Sequence, residues 1–171
     1  PFPNNADPNI PYQVIAEGML PGLVKDGFVQ QADTIEELAE KLGLPIAFHT
    51  GRDPLSTNLI HCPAAVLGKI ADLFPRLTII AAHMGGMDTP QEAAKHLAGK
   101  KNVYFDTAFA SHFLDAASFT QLVKLHGADK VLFATEPLPA EKALLEAADL
   151  SPSEKERIAY RNAEELFGVT V

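Results

Sequence analysis

The sequence lacks several features that would assign it to a specialised class of protein. It has no tryptophan, one cysteine (Cys62) and no recognisable signal peptide. A single cysteine excludes a disulfide within the chain. No apolar stretch reaches the roughly 18 residues that a membrane-spanning helix needs. These absences predict a cytoplasmic protein that does not cross a membrane.

Positive charge is also scarce. The chain has 14 Lys and Arg residues against 22 Asp and Glu residues, which gives a formal net charge of −8. Nucleic acids and anionic membranes bind clusters of Lys and Arg, so the composition disfavours both as partners. A small soluble substrate is the better expectation.

The length is enough for one sizeable core. With 171 residues and 47% hydrophobic content, the chain is expected to form a single domain over 1–171. Residues 1–12 contain four prolines, which exclude a regular helix or ladder, and we expect an extended segment there. The first residue is Pro rather than Met, so the chain is expected to be part of a longer protein or the product of processing.

Three apolar stretches each end in a residue that can bind a metal ion. They are LPIAFHTG at 44–51, LTIIAAHMGG at 77–86 and VLFATEP at 131–137, which carry His49, His83 and Glu136. Each stretch is typical of a buried parallel strand, and functional groups converge at the carboxyl ends of such strands. Because imidazole and carboxylate are ligands for zinc, the pattern predicts a site at this edge of the sheet.

Helical and strand patterns alternate along the chain. Helices are predicted over 34–42, 63–73, 90–98, 115–126, 139–148 and 152–166, and a further strand at 103–108; residues 13–19 fit either a short strand or the start of a helix. This alternation predicts an α/β fold built from parallel (β/α) units, as a barrel or a doubly wound sheet. No G-x-G-x-x-G or P-loop sequence is present, so no nucleotide site is predicted.

Five motifs in order carry a family resemblance. They are LPIAFHTG, FPRLTIIAAHMGG, KNVYFDTA, ADKVLFATEPLP and the closing LSPSEKERIAYRNAEELFGV. From about residue 33 onward the chain resembles the amidohydrolase-related (amidohydrolase 2) family of metal-dependent TIM-barrel hydrolases and decarboxylases, which includes aminocarboxymuconate-semialdehyde decarboxylase. The resemblance implies strands five to eight of the barrel, its C-terminal half. It also implies His49 as a metal ligand, His83 as a ligand or catalytic acid/base, and Glu136 as a ligand or base where the family has Asp.

Two departures from that family pattern bear on the site. The His-x-His pair of the family's first strand is absent, and with it two metal ligands. Glu136 is one methylene longer than Asp, and catalytic geometry is sensitive to shifts on the order of 1 Å. A complete barrel typically needs about 250 residues, so the chain corresponds to part of one.

Other polar residues near the strand ends have two interpretations each. Arg52 could bind a substrate carboxylate or form a surface ion pair. Asp106 could contact the substrate or cap the turn that follows its strand. The remaining histidines, which show no convergent pattern, are expected to be exposed: His61, His96, His112 and His126.

The sequence therefore favours an enzyme. The predicted function is a metal-dependent hydrolase or nonoxidative decarboxylase of small cyclic or carboxylated substrates, with zinc as the expected metal and manganese as the alternative. The competing hypotheses are a noncatalytic half-barrel module for assembly or binding, and a fragment of a longer amidohydrolase. Because a half-barrel exposes a sheet edge and an apolar inner face, we expect a homo-oligomer or association with a missing N-terminal half.

Overall fold

A computed structural model of the chain describes residues 33–53, 60–135 and 139–170. The described helices are Ile35–Leu42 (α1), Ala64–Leu73 (α2), Pro90–His96 (α3), Ala116–His126 (α4), Ala140–Ala147 (α5), Pro152–Glu156 (α6) and Asn162–Phe167 (α7). The described strands are Ile46–Phe48 (β1), Gly51–Arg52 (β2), Ile60–His61 (β3), Ile79–Ala81 (β4), Val103–Asp106 (β5) and Val131–Leu132 (β6). Short 3-10 turns span Ala110–His112 and Ala128–Lys130, and a π-helical segment, Arg157–Arg161, joins α6 to α7.

Four strands form one parallel sheet in the order β1-β4-β5-β6. The three apolar stretches predicted β1, β4 and β6, and the further strand predicted at 103–108 is β5; the parallel (β/α) fold class is confirmed. A two-residue antiparallel pair, β2 with β3, was not predicted because it is too short to show an alternating pattern. The element predicted at 13–19 and the segment 1–12 lie outside the described residues.

Buried apolar side chains on the strands stabilise the sheet. Ile79, Val103, Phe105 and Val131 alternate with less buried residues along the strands, and all four are completely buried. Burying an apolar side chain of this size contributes about 1.5–3 kcal/mol. This packing fixes the strands side by side, so their carboxyl ends form one continuous edge.

Caps at the helix ends explain why the predicted helices begin where they do. The Thr34 side chain accepts a hydrogen bond from the Glu37 N–H, and Asp115 accepts one from the Ser118 N–H. Each cap satisfies a backbone donor that has no partner within its helix. No helix in the described part of the chain is long and apolar enough to cross a membrane.

The closing helical region packs against the last strand. Asn162 Nδ2 donates to the carbonyl oxygens of Ala128 and Val131, both at 2.7 Å. The Phe133 N–H donates to the Ile158 carbonyl at 2.9 Å. The single helix predicted over 152–166 is therefore interrupted by a π-helical turn that faces β6. Among the described strands, β1 and β6 are the two edges of the sheet.

Candidate active site

The structure brings His49 and His83 together at the carboxyl edge of the sheet. β1 and β4 are parallel neighbours with Phe48 opposite Ala81, so the residues that follow them emerge side by side. His83 Nε2 lies 3.0 Å from His49 Nδ1, and the ring centroids are 4.8 Å apart. His83 is 8% exposed, whereas His49 is exposed at the surface.

The outer nitrogen of each ring is held by a backbone carbonyl. His83 Nδ1 donates to the Ala108 oxygen at 2.9 Å, and His49 Nε2 donates to the Arg52 oxygen at 3.0 Å. Because a carbonyl oxygen only accepts, each outer nitrogen carries a hydrogen, which in a neutral ring leaves the inner nitrogen with its lone pair. The two inner nitrogens face each other across 3.0 Å, an arrangement in which a cation could contact both.

The geometry of the facing nitrogens fits a metal ion. A Zn–N bond is about 2.0–2.1 Å long, and twice that length exceeds the 3.0 Å separation, so one ion can contact both nitrogens. Within residues 33–53, 60–135 and 139–170, no group of three His, Cys, Asp or Glu side chains is placed to hold a metal. Glu136, the third predicted ligand, lies outside the described residues. His49 and His83 are therefore the candidate ligands that the described part of the chain offers.

His83 adopts a strained backbone conformation that Asp106 supports. The φ angles of His83 and Met84 are 59° and 52°, in the left-handed region that side chains other than glycine rarely adopt. Asp106 Oδ1 accepts from the His83 N–H at 2.9 Å and from the Ala108 N–H at 3.1 Å. These contacts correspond to the turn-capping interpretation of Asp106, and they fix both His83 and the carbonyl that orients its ring.

Gly85 allows this turn to lie directly on the neighbouring strand. Its φ is +76°, and a Cβ atom at this position would lie 2.5 Å from Cε1 of Phe105. Only glycine can approach the Phe105 ring so closely without displacing it. The HMGG sequence is thus shaped by close packing as well as by its histidine.

Arg52 and an aromatic stack lie beside the histidine pair. The Arg52 guanidinium is 3.4 Å from the Asp88 carboxylate, and both side chains are substantially exposed. The Phe109 and His112 rings stack with centroids 3.8 Å apart, and the Phe109 centroid is 6.5 Å from that of His83. An exposed ion pair holds a guanidinium weakly, so Arg52 remains able to bind an anion.

Glu141 is a buried polar residue that the sequence did not predict. Glu141 is 1% exposed and accepts hydrogen bonds from Ser111 Oγ at 2.7 Å and Thr135 Oγ1 at 3.4 Å. In the sequence it looks like an ordinary acidic residue in the first turn of a helix. Glu141 therefore links the segments that follow β5 and β6.

The prediction that His126 is exposed is wrong. His126 is 6% exposed and stacks on the Phe105 ring with centroids 3.8 Å apart. Its Nδ1 accepts from the Gly99 N–H at 3.2 Å. Burial lowers the pKa of His126 to about 4, so the ring is neutral near pH 7. His112, in contrast, is exposed as predicted.

Comparison with protein families gives one match across most of the chain. The model of the amidohydrolase family Amidohydro_2 matches residues 18–169. No curated protein matches the chain significantly.

Solved structures show the same fold at low sequence identity. A dihydroxybenzoic acid decarboxylase from Polaromonas sp. JS666, with bound manganese and 2-nitroresorcinol, is 20% identical, with a TM-score of 0.56; the alignment covers 77% of this chain and 52% of the decarboxylase. An uncharacterised TIM-barrel protein from Bordetella bronchiseptica is 23% identical, with a TM-score of 0.58 and coverage of 78% and 49%. A 5-carboxyvanillate decarboxylase from Sphingomonas paucimobilis is 17% identical, with a TM-score of 0.57 and coverage of 80% and 52%. The chain thus spans about half the length of these barrels.

Proposed function

Because the chain belongs to the amidohydrolase family, we propose that it contributes to a metal-dependent hydrolase or nonoxidative decarboxylase. The observation that carries the proposal is the histidine pair, whose inner nitrogens face each other across 3.0 Å. A buried imidazole that is oriented by a backbone carbonyl and aimed at a second imidazole is suited to metal binding. Its place at the carboxyl edge of a parallel sheet is the usual place for an active site.

The proposed metal site consists of His49, His83 and Glu136. The donor set of two imidazoles and a carboxylate suits zinc, with manganese as the alternative. The Polaromonas decarboxylase contains manganese, which supports a divalent ion here. When bound, such an ion supplies positive charge that polarises a carbonyl or carboxylate group.

The chain's own residues would orient the substrate and move a proton. His83 is proposed as the acid/base in the alternative in which it does not bind the metal, because its Nδ1 is fixed by Ala108 and only its Nε2 is directed into the site. Glu136 is proposed as a second acid/base or ligand. Arg52 is proposed to bind a substrate carboxylate, since Asp88 holds it only through an exposed contact. Asp106 remains predicted as a substrate contact, in addition to its bonds to the backbone.

The proposed substrates are small cyclic or carboxylated molecules. The decarboxylases among the solved structures are named for dihydroxybenzoic acid and carboxyvanillate, which are both of this kind. The cytoplasm stays the predicted compartment, on the basis of the single cysteine.

We further propose that another half-barrel completes the sheet. β1 and β6 are the edges of the described sheet, and the related barrels are about twice as long as this chain. An unpaired parallel edge favours association. The completing strands would come from a second copy of the chain or from an N-terminal half.

The test is metal content by mass spectrometry on purified protein, with size-exclusion chromatography of the same sample. We expect near one equivalent of zinc or manganese, lost in His49→Ala and retained in the control His96→Ala, which alters a half-buried histidine on α3 outside the pair. Protein that binds metal would then be assayed for decarboxylation and hydrolysis of carboxylated ring compounds. If metal is neither present nor taken up, the noncatalytic half-barrel is favoured.

A further inference from the structure

Glu141 is a buried carboxyl group for which the proposed chemistry has no role. It lies in the first turn of α5 and is 1% exposed. Its described hydrogen bonds come from two hydroxyl groups, Ser111 Oγ at 2.7 Å and Thr135 Oγ1 at 3.4 Å. An apolar side chain would fill an inward helix position at a lower desolvation cost. We therefore expect the Glu141 carboxyl group to be required for its directional hydrogen bonds.

The contact with Ser111 supports a strained residue. Ser111 belongs to the turn Ala110–His112, which directly follows Phe109. The φ angle of Phe109 is 62°, in the left-handed region that is unusual for a bulky side chain. Such a conformation persists only where neighbouring contacts hold it. The Ala110 N–H, which donates to Thr107, and the Ser111 hydroxyl, which donates to Glu141, hold the turn on the C-terminal side of Phe109.

The conformation of Phe109 determines which way the Ala108 carbonyl points. The peptide group between Ala108 and Phe109 is planar, so a change in φ of Phe109 away from the left-handed region requires this peptide or the following chain to rotate. The Ala108 oxygen is the acceptor for His83 Nδ1, at 2.9 Å. Loss of that acceptor would release the His83 ring from its single tautomer.

We propose that Glu141 is a positioning residue for His83. It acts through Ser111 and the left-handed Phe109 to hold the Ala108 carbonyl against His83 Nδ1. Glu141 touches neither histidine of the pair, so its effect is indirect. The consequence for metal binding rests on the proposed function, whereas the effect on the His83 tautomer does not.

The experiment measures the His83 ring by nitrogen NMR in the metal-free full chain and follows Zn²⁺ binding by calorimetry. In Glu141→Leu we expect a mixture of His83 tautomers and a Zn²⁺ affinity at least about tenfold lower, the range seen for lost outer partners of metal ligands. Glu141→Gln keeps an oxygen that accepts from Ser111, so it should preserve both the single His83 tautomer and the Zn²⁺ affinity. The matched control is Glu154→Leu, because Glu154 accepts from Ser151 Oγ at the same 2.7 Å but is only half-buried, in the capping box at the start of α6.

A second variant tests the route through Phe109. Asn tolerates the left-handed region, so in a Phe109→Asn background the strain is relieved and Glu141→Leu should lose most of its effect on the tautomer. An undiminished effect would overturn the proposed route.

The proposal is overturned if folded Glu141→Leu keeps the wild-type tautomer. If that variant does not fold, Ser111→Ala removes the same hydrogen bond, and an unchanged tautomer there overturns the proposal equally. If the wild type binds no Zn²⁺ while the tautomer still responds to Glu141→Leu, the proposed function fails and this inference stands. If Zn²⁺ binds but the His83 tautomer does not respond to Glu141→Leu, the inference about Glu141 fails and the proposed function stands.

Discussion

His83 and His126 are buried to almost the same extent, at 8% and 6% exposed, yet their backbone partners make them chemically opposite. His83 Nδ1 donates to the carbonyl of Ala108, which leaves the lone pair of a neutral ring on Nε2, facing His49. His126 Nδ1 accepts from the N–H of Gly99, so its lone pair is already used. The first ring directs its inner nitrogen toward His49, and the second stacks on Phe105 as part of the core.

The difference teaches that burial alone does not identify a functional histidine. What matters is whether the backbone presents a carbonyl or an N–H to the ring, because that choice decides where the lone pair points. The histidine at a strand end and the histidine at a helix end meet different backbone groups. His83 follows β4, and the segment after the neighbouring β5 contributes the Ala108 carbonyl. His126 ends a helix and meets the N–H of Gly99 in a loop.

The strongest test of this comparison is metal binding by variants of each histidine. His83→Ala should abolish Zn²⁺ binding, because it removes one of the two facing nitrogens; losses of outer partners alone cost about 10–100-fold. His126→Asn should bind Zn²⁺ as the wild type does. Calorimetric titration measures both, and circular dichroism confirms that each variant is folded. Equal losses of affinity in the two variants would contradict the distinction.

The second test is the pH dependence of stability that His126 should cause. Burial lowers the pKa of His126 to about 4 in the folded chain, against about 6.5 in the unfolded chain. The unfolded state therefore takes up a proton first as the pH falls. The free energy of unfolding is therefore unaffected by His126 above pH 6.5. It falls by about 3 kcal/mol as the pH drops from 6.5 to 4.

Urea unfolding at pH 7 and pH 4.5 measures this effect. In His126→Asn the loss of stability between the two pH values should be smaller by most of that amount, since asparagine does not titrate. Gln121→Asn is the control, because it changes an exposed side chain on the same helix and removes no titratable group. An equal pH dependence in the His126 variant and the wild type would show that His126 titrates normally.

The elements of the fold could be predicted because apolar periodicity is local in the sequence. The same patterns predicted His49 and His83 at the carboxyl edge of the sheet. That their two strands are neighbours, which brings the rings together, came from the structure and not from the sequence. The left-handed conformations of His83 and Phe109 could not be predicted, because they depend on contacts with Asp106 and the turn after β5. The assignment of Glu136 as a ligand stays a prediction.

The buried states of His126 and Glu141 also escaped prediction. Both lie on amphipathic helices where a polar residue usually faces solvent. Their burial depends on Phe105 and Ser111, which are 21 and 30 residues away in the sequence. Tertiary packing therefore buries both side chains, although the local sequence pattern predicts that they are exposed.

A third test separates the support of His83 from the packing of His126. Asp106→Ala removes the oxygen that accepts from the His83 and Ala108 N–H groups, and should cost about 2 kcal/mol of unfolding free energy. It should also lower Zn²⁺ affinity by about tenfold. Asp106→Asn retains an amide oxygen as acceptor and should recover most of both losses. Urea unfolding and calorimetry measure them; a destabilised Asp106→Ala with unchanged Zn²⁺ affinity would show that His83 does not depend on this carboxylate.

The smallest expected effect on stability concerns Arg52, whose backbone and side chain have separate roles. Its carbonyl oxygen accepts from His49 Nε2, whereas the contact of its guanidinium found among the described residues is the exposed one with Asp88 at 3.4 Å. Arg52→Met keeps the carbonyl, so the histidine pair and Zn²⁺ affinity should be unchanged and the unfolding free energy should change by less than about 1 kcal/mol. Binding of benzoate, as a simple carboxylate, should weaken if the guanidinium holds substrate. Unchanged benzoate binding would leave the backbone of Arg52 as its only contribution to the site, and a loss of Zn²⁺ affinity would show that the side chain also supports His49.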